Sequence, residues 1–351
     1  LSSYHFIMRS SFLLKILSVI TICVILIIVY QILLTTSLFN HVKSSVPINL
    51  QNVDTSSLSN DVNVMITFTN AKNNYNLQTK FKTTVFTMFK WATVPLNVYI
   101  IGDEDSQLLA DHTNTQTTIS LLIHQLQSSI VLNEVIKEMQ QYFSYKPGAY
   151  YSDALFFLSI AIHKVMPATL HKVIMMDADL KFNNDIKELF QLFNNFSSTN
   201  VIGIARENQP VYRHILSTYR GAHPGTRVGD PPPNGITGFN SGVLLLNLDK
   251  MRKSDVYNSL IDSKVVQDLT AKYSFKGHLG DQDFFSLLSV EHEELFYILP
   301  CTWNRQLCTW WKDKGYESVF DLYFKCEGHI NIYHGNCNTE IPTLDWETNF
   351  Q

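Results

Sequence analysis

The sequence predicts an α/β protein, a Rossmann-like sheet flanked by helices, and three observations carry that prediction. The first is a strand–helix–strand opening. Val62–Thr69 (VNVMITFT) reads as a buried strand. Leu77–Thr93 then places Leu77, Phe81, Val85, Met88 and Phe89 at helical spacing. Pro95 stops that helix, and Leu96–Ile101 is a second strand ending at Gly102. Such an opening resembles a nucleotide-binding half-sheet. The second observation is Lys172-Val-Ile-Met-Met176, an apolar run suited to a strand covered on both faces, which ends in Asp177 and Asp179. The third is that polar tips follow strands, recurring at the ends of apolar runs: Thr69/Asn70, Asp177/Asp179, Asn240/Ser241, Asp281/Gln282 and His334. A parallel-rich sheet gathers such tips on one edge, where open α/β sheets present ligands.

The chain begins with a different kind of segment. Phe12–Leu34 is almost wholly apolar, and Ile16–Leu34 carries no charge. At about 1.5 Å per residue the uncharged part covers about 28 Å, close to the hydrocarbon thickness of a bilayer. A cleaved signal peptide would be shorter and would end in small residues, so an uncleaved signal anchor is the expectation. Arg9 and Lys15 precede the span, which puts the short N-terminus in the cytoplasm and the bulk in the lumen. The expected organisation is a cytoplasmic tail over 1–11, a transmembrane anchor over 12–36, a Ser/Asn-rich stem over 37–60 and a globular body over 61–351.

Within the body, helices are expected over Ile119–Tyr142 and over Ser152–Val165, the latter capped by Ser152 or Asp153. After the Asp177 strand come a short amphipathic helix at Ile186–Phe196, a strand at Val201–Ala205 and a helix at Gln209–Arg220. Gly221–Gly238 contains three consecutive prolines and admits neither regular helix nor central strand. A loop that long in a compact domain tends to be functional. Phe239–Asn247 runs from a loop tip into a buried strand. Helices follow over Lys250–Tyr273, and Gly277–Phe285 leads into another. His329–Tyr333 alternates as a strand and then exposes His334.

Composition sets further bounds. A chain of 351 residues that is 45% hydrophobic and 17% charged is a folded protein. A net charge of -4 without a Lys/Arg-rich run excludes a nucleic-acid footprint. Neither a Gly-x-Gly-x-x-Gly nor a Walker loop is present, which disfavours dinucleotide enzymes and P-loop kinases. Asn195-Phe-Ser197 is an N-glycosylation acceptor sequence. Cys301, Cys308, Cys326 and Cys337 crowd the last fifth of the chain, which suggests two disulfides in an oxidising compartment, with three possible connectivities. Zinc is the competing reading, but no Cys-x-x-Cys knuckle is present.

Two carboxylates at a strand end can hold a divalent cation, and the cation can hold a diphosphate. An Asp-x-Asp also suits a solvated turn, and similar pairs stand at Asp103/Asp105 and Asp281/Asp283. Asp177, Asp179 and His334 together offer oxygen and imidazole donors that suit Mn²⁺.

The stretches MMDADL, FNSGVLLLNL, GHLGDQDFF and the late YHG resemble the family 8 glycosyltransferases of GT-A fold, retaining enzymes that use nucleotide sugars and Mn²⁺. Longer stretches, among them TRVGDPPP and CTWNRQLCTWW, resemble a xylosyltransferase branch of that family in the secretory pathway. The resemblance runs from about Asp61 to about Pro342. It implies a mixed sheet flanked by helices, with Asp177, Asp179 and His334 as Mn²⁺ ligands (Mg²⁺ as substitute). It implies Thr69, Asn70 and Ala178 at the nucleotide, and Ser241, His278, Leu279 and Gln282 around the sugar of UDP-xylose. His214, Trp310 and Asn336 would face the acceptor. The implied reaction is α-1,3-transfer of xylose to a xylosyl-glucose O-glycan on epidermal-growth-factor-like repeats, by a single-pass type II protein of the endoplasmic reticulum membrane. UDP-glucose or UDP-galactose as donor, or an inert glycan-binding relative, are the alternatives. The family's His-x-x-Gly-x-Lys-Pro-Trp is replaced here by His334-Gly-Asn-Cys, so the lysine expected at the diphosphate is not visible. Gln282 is a neutral amide and a poor nucleophile. If it lies under the anomeric carbon, attack from the leaving-group face is expected, with Gln282 orienting or stabilising. Asp281 and Asp283 are the candidate covalent nucleophiles, or else caps of the helix that follows.

Overall fold

The structure is a computed structural model that describes residues 61–111, 130–144 and 154–348. Contacts place residues 59–351 in one compact unit. Every described residue lies in that unit. The expected tail, anchor and stem, and the expected Ser152/Asp153 cap, lie outside the described residues. Among the described residues no helix is long and apolar enough to cross a membrane.

Six strands form the main sheet: β1 (Val62–Thr67), β2 (Leu96–Ile101), β3 (Lys172–Asp177), β5 (Ile202–Arg206), β6 (Phe239–Asn247) and β7 (Phe296–Leu299). The remaining strands, β4 (Leu180–Phe182), β8 (Arg305–Gln306) and β9 (Ile332–His334), form a second, small sheet in the order β4-β9-β8. In the main sheet the order is β2-β1-β3-β6-β5-β7. β1 runs parallel to β2 and β3, and β5 runs parallel to β7. β6 is antiparallel to both of its neighbours. The sheet is therefore mixed, and the one reversed strand matters for the site. Because β6 runs backwards, its first residues rather than its last reach the carboxyl edge of the others. Asn240 and Ser241 thus open a strand, yet they stand near Asp177, since Val243 pairs with Met176.

Alternation along the strands divides the apolar side chains into two layers. Met65, Val173, Met175, Ile202, Ile204, Leu244 and Leu246 belong to one buried cluster, with Phe143, Phe284 and Leu288 from helices on that face. Val64, Ile66, Ile174, Met176, Val243 and Leu245 belong to the other. There they meet Phe81, Val85 and Met88 of the Tyr75–Trp91 helix. That helix starts where Asn74 Oδ1 accepts from Leu77 N at 3.1 Å, a side-chain N-cap.

Several expected elements differ in detail. Gln209–Arg220 is two short helices, Val211–Ile215 and Ser217–Ala222. The strand expected over His329–Tyr333 is Ile332–His334, so His334 ends the strand instead of following it. The Pro-rich stretch is braced by Asp230, which pairs with Arg213 (2.5 Å) and Arg220 (2.7 Å). Tyr323 OH donates to Gly229 O at 2.6 Å. Both disulfides are present, as Cys301–Cys326 and Cys308–Cys337. This pairing resolves the open connectivity and removes the zinc reading.

Candidate active site

Asp177 is the last residue of β3, and Asp179 lies just before β4. The Asp-x-Asp is therefore the hinge between the two sheets. β4 pairs with β9 in a register that sets Leu180 opposite His334. Gly335 N then donates to Asp179 O at 2.9 Å. This pairing brings a histidine from the end of the chain onto the two acids. His334 Nε2 lies 3.5 Å from Asp177 Oδ2 and 3.3 Å from Asp179 Oδ1. One ligand atom from each residue falls within 4.8 Å of the others.

The histidine's other nitrogen is already used. Its Nδ1 lies 2.9 Å from Asn304 Oδ1, while Asn304 Nδ2 donates to Asn240 Oδ1 at 2.9 Å. Asn304 thus offers its oxygen to the imidazole, so Nδ1 carries the proton and Nε2 faces the acids. Metal-binding histidines are oriented in this way. Gly242 gives the ring its space, because a Cβ there would come 2.3 Å from His334 Cε1. Burial alone would lower the His334 pKa, but the carboxylates of Asp179 and Asp177 outweigh it and hold the ring at about 10. The reciprocal effect on Asp179 is a lowered pKa, where His334 and Lys80 overcome the upward push of burial. Two carboxylates and an imidazole nitrogen drawn together in this way are a donor set that suits a divalent cation.

The Tyr75–Trp91 helix supports this hinge with one face. Thr84 is fully buried, and its Oγ1 lies 2.9 Å from Ala178 O, 2.8 Å from Leu180 O and 2.9 Å from Leu180 N. Thr87 Oγ1 accepts from Phe182 N at 3.0 Å. Four residues before Thr84, on the same face, is Lys80. Its Nζ donates to Gly335 O at 2.8 Å and stands 4.0 Å from Asp179 Oδ2. Burial lowers its pKa, against the pull of Asp179. The family motif places a lysine after His334, whereas this one comes from the Tyr75–Trp91 helix. The helical register of Lys80 with Thr84 and Thr87 was its only signal.

The acids lie on the wall of a cleft of about 760 Å³. Of the expected site residues, Ala178, Ser241, His278, Leu279 and Gln282 also line it, as do His214, Trp310, Asn336 and His334. Thr69 and Asn70 do not. Thr69 is buried with its Oγ1 donating to Asp103 Oδ2 at 2.9 Å, and Asn70 N donates to the same oxygen at 2.6 Å. Asp103, at the turn after β2, holds the loop after β1 in place. Glu207 lines the cleft and was not expected from sequence; nothing in its Arg-Glu-Asn context marks it.

At the other end, the Asp281–Leu288 helix has Gly280 as N-cap with no side-chain bond. Asp281 and Asp283 both lie in its first turn. Asp283 is 0% exposed and takes Tyr212 OH at 2.9 Å and Leu279 N at 2.7 Å. Asp281 accepts from Ser241 Oγ at 2.9 Å and from Ser159 Oγ. Burial raises Asp281 to about 7 and Asp283 to about 6. On the open side, Trp310 is 57% exposed and Trp311 packs on His214 at 4.7 Å. His214 Nδ1 is 2.9 Å from Tyr316 OH. Asn336 Oδ1 accepts from Leu307 N and Cys308 N, at 3.0 and 2.9 Å. The Cys308–Cys337 disulfide joins these same two segments.

This chain is similar to proteins of known kind. It is 47% identical over 297 residues to xyloside xylosyltransferase 1 of Mus musculus, covering 80% of this chain and 75% of that protein. The apo crystal structure of the mouse protein superposes with a TM-score of 0.74, covering 80% of this chain and 99% of that chain. Human xylosyl- and glucuronyltransferase LARGE1 is 30% identical over 234 residues, 65% of this chain and 28% of that protein. The profile of glycosyl transferase family 8 matches residues 39–323. The chain belongs to glycosyl transferase family 8.

Proposed function

We propose that the chain transfers xylose from UDP-xylose to a xylosyl-glucose O-glycan carried by epidermal-growth-factor-like repeats. The observation that carries this reading is the Asp177/Asp179/His334 cluster, set in a cleft that also presents Gln282 and Trp310. Similarity to xyloside xylosyltransferase 1 supports the choice of sugar. Mn²⁺, with Mg²⁺ as substitute, would be held by the two carboxylates and by His334 Nε2. The ion supplies positive charge to the diphosphate as the glycosidic bond breaks. Lys80 adds an ammonium group beside Asp179, in place of the lysine missing after His334. Ala178, on the cleft wall, is assigned to the nucleotide side, and Thr69 and Asn70, which do not line the cleft, to the Asp103-braced loop after β1 on that side. Ser241, His278, Leu279 and Gln282 are assigned to the xylose, and His214, Trp310 and Asn336 to the acceptor.

The geometry argues against a covalent route through the acids of the Asp281–Leu288 helix. Asp283 is closed off by Tyr212 and Leu279. Asp281 has both oxygens engaged by serine hydroxyls, and its raised pKa depletes the nucleophilic form near neutral pH. Gln282 remains. The negative end of its amide, Oε1, can stabilise an oxocarbenium-like sugar while the acceptor attacks on the leaving-group face.

The placement that accompanies this reading is the lumenal side of the endoplasmic reticulum membrane, through the 12–36 segment, with Asn195 glycosylated. Asn195 is exposed, as that modification requires. The test is to incubate the protein with Mn²⁺, a xylosyl-glucosylated repeat and, in parallel, UDP-xylose, UDP-glucose or UDP-galactose. A mass gain of one pentose, absent with chelator, is expected. A gain of one hexose would replace xylose as the donor sugar, and UDP binding without any gain would favour an inert glycan-binding relative.

A further inference from the structure

A buried chain of side chains connects the proposed metal ligand to the proposed catalytic amide. It starts at His334 Nδ1, 2.9 Å from Asn304 Oδ1. Asn304 Nδ2 donates to Asn240 Oδ1 at 2.9 Å. Asn240 Nδ2 donates to Glu207 Oε2 at 3.4 Å. The same oxygen accepts from Gln282 Nε2 at 3.3 Å. All five residues are less than 9% exposed. Each asparagine therefore receives at its oxygen and gives at its nitrogen, and from both ends the donation runs towards Glu207.

Direction is what an amide chain lacks by itself, because each amide can turn over and exchange donor for acceptor. A carboxylate at one end removes that freedom, since it can only accept. Glu207 is that end. Its second oxygen, Oε1, is buried and finds no hydrogen-bond partner among the described residues, while the nearby backbone N–H groups of Asn208 and Gln209 favour the carboxylate form. Burial raises the Glu207 pKa to about 7, so the ionised form that can only accept predominates above that pH, and burying it carries a cost that an apolar residue would not. At Gln282 the consequence is chemical. With the nitrogen held by Glu207, the carbonyl oxygen is the end that meets Ser241 N, at 3.4 Å, beside the cleft. Turned over, the amide would aim N–H at a sugar gaining positive charge.

We propose that Glu207 is a positioning residue that fixes the Gln282 amide and, through Asn240 and Asn304, the Nδ1-protonated form of His334. This rests on the transferase reading for its catalytic arm, whereas its metal arm stands without it. The test compares Glu207→Met, Gln282→Ala, Asn304→Leu and the Glu207→Met/Gln282→Ala double variant. Two readouts are transfer rates with UDP-xylose and Mn²⁺ affinity by electron paramagnetic resonance. Glu207→Met should lower kcat at least about tenfold with donor KM within about threefold, as for a group acting only in the transition state. The double variant should be no slower than Gln282→Ala alone, because residues acting as a unit are not additive. Asn304→Leu should weaken Mn²⁺ by about 10–100-fold, and Glu207→Met should weaken it in the same direction. Independent, multiplying losses in the double variant would overturn the Gln282 arm. Mn²⁺ affinity weakened by Asn304→Leu but untouched by Glu207→Met would overturn the His334 arm. If the wild type transfers no sugar, the transferase reading falls and the Mn²⁺ comparison alone decides the chain. Glu207→Gln, which keeps the shape and an oxygen able to accept both amides, serves if Glu207→Met does not fold and should retain more rate than it.

Discussion

The two sheets of this molecule are held by different forces, and the candidate site lies on the seam between them. The main sheet has strands of four to nine residues with both faces covered by apolar side chains. Burial specifies it, at about 25 cal/mol per Å² of apolar surface. The small sheet has strands of two and three residues. Strands so short bury too little to hold themselves. Cross-links hold them instead: two disulfides, the Thr84 and Thr87 hydroxyls, and Asn304. The rigid sheet ends in Asp177, and the stapled sheet delivers His334. A site divided this way can lose its ligand geometry without losing the fold.

That contrast orders the predictions. The largest effect is expected at the hinge. Asp179→Ala should weaken Mn²⁺-dependent UDP binding more than about 100-fold, since it removes one of three ligands, while cooperative unfolding persists. Leu245→Ala, at 0% exposure in the main sheet, should do the converse. It should cost about 2–5 kcal/mol of stability and leave UDP affinity unchanged in the folded fraction. Equal losses of stability in the two variants would break the contrast.

Next comes the staple. Joint Cys308→Ser and Cys337→Ser substitution should cost about 2–5 kcal/mol, and here Mn²⁺ affinity should fall as well, because the turn after His334 is released. Denaturant unfolding with parallel Mn²⁺ titration separates the two effects. Smaller still is Lys80→Gln, expected to weaken UDP by roughly tenfold, about 1.4 kcal/mol, with Mn²⁺ affinity nearly retained. Calorimetry with UDP and with Mn²⁺ alone checks it.

The smallest effect is a slope with pH. Glu207 and Asp281 are raised to about 7 and Asp283 to about 6. A carboxyl group whose folded pKa lies above its unfolded value stabilises the fold while protonated. Its contribution is lost as pH rises from about 4, the unfolded value, through the folded pKa. The metal-free protein should therefore melt at lower temperature at pH 8 than at pH 5, and Asp283→Asn should reduce the slope. A melting temperature that rises over that interval would contradict the buried, partnered state of these acids.

The same division explains what the sequence made legible. β1, β2 and β3 were readable because unbroken apolar runs bounded by Pro95, Gly102 or paired acids leave few alternatives. β4 and β8 were not, since two or three residues show no period. β7 was missed inside Glu291–Pro300, where Pro300 and the acids around Leu295 obscure a four-residue run. The acids and histidine of the site could be named from their motifs. Lys80, Asn304 and Glu207 could not, because their roles arise from partners 255, 30 and 75 residues away. Gly221–Gly238 drew a functional expectation from its length, yet none of it lines the cleft.

The most direct test of the seam site is a titration of UDP into the wild-type protein and into His334→Ala, each with and without Mn²⁺. Binding that requires Mn²⁺ in the wild type and is lost in His334→Ala, with cooperative unfolding kept, is the predicted result. UDP bound equally well without Mn²⁺, or with unchanged affinity in His334→Ala, would contradict a metal site assembled from both sheets.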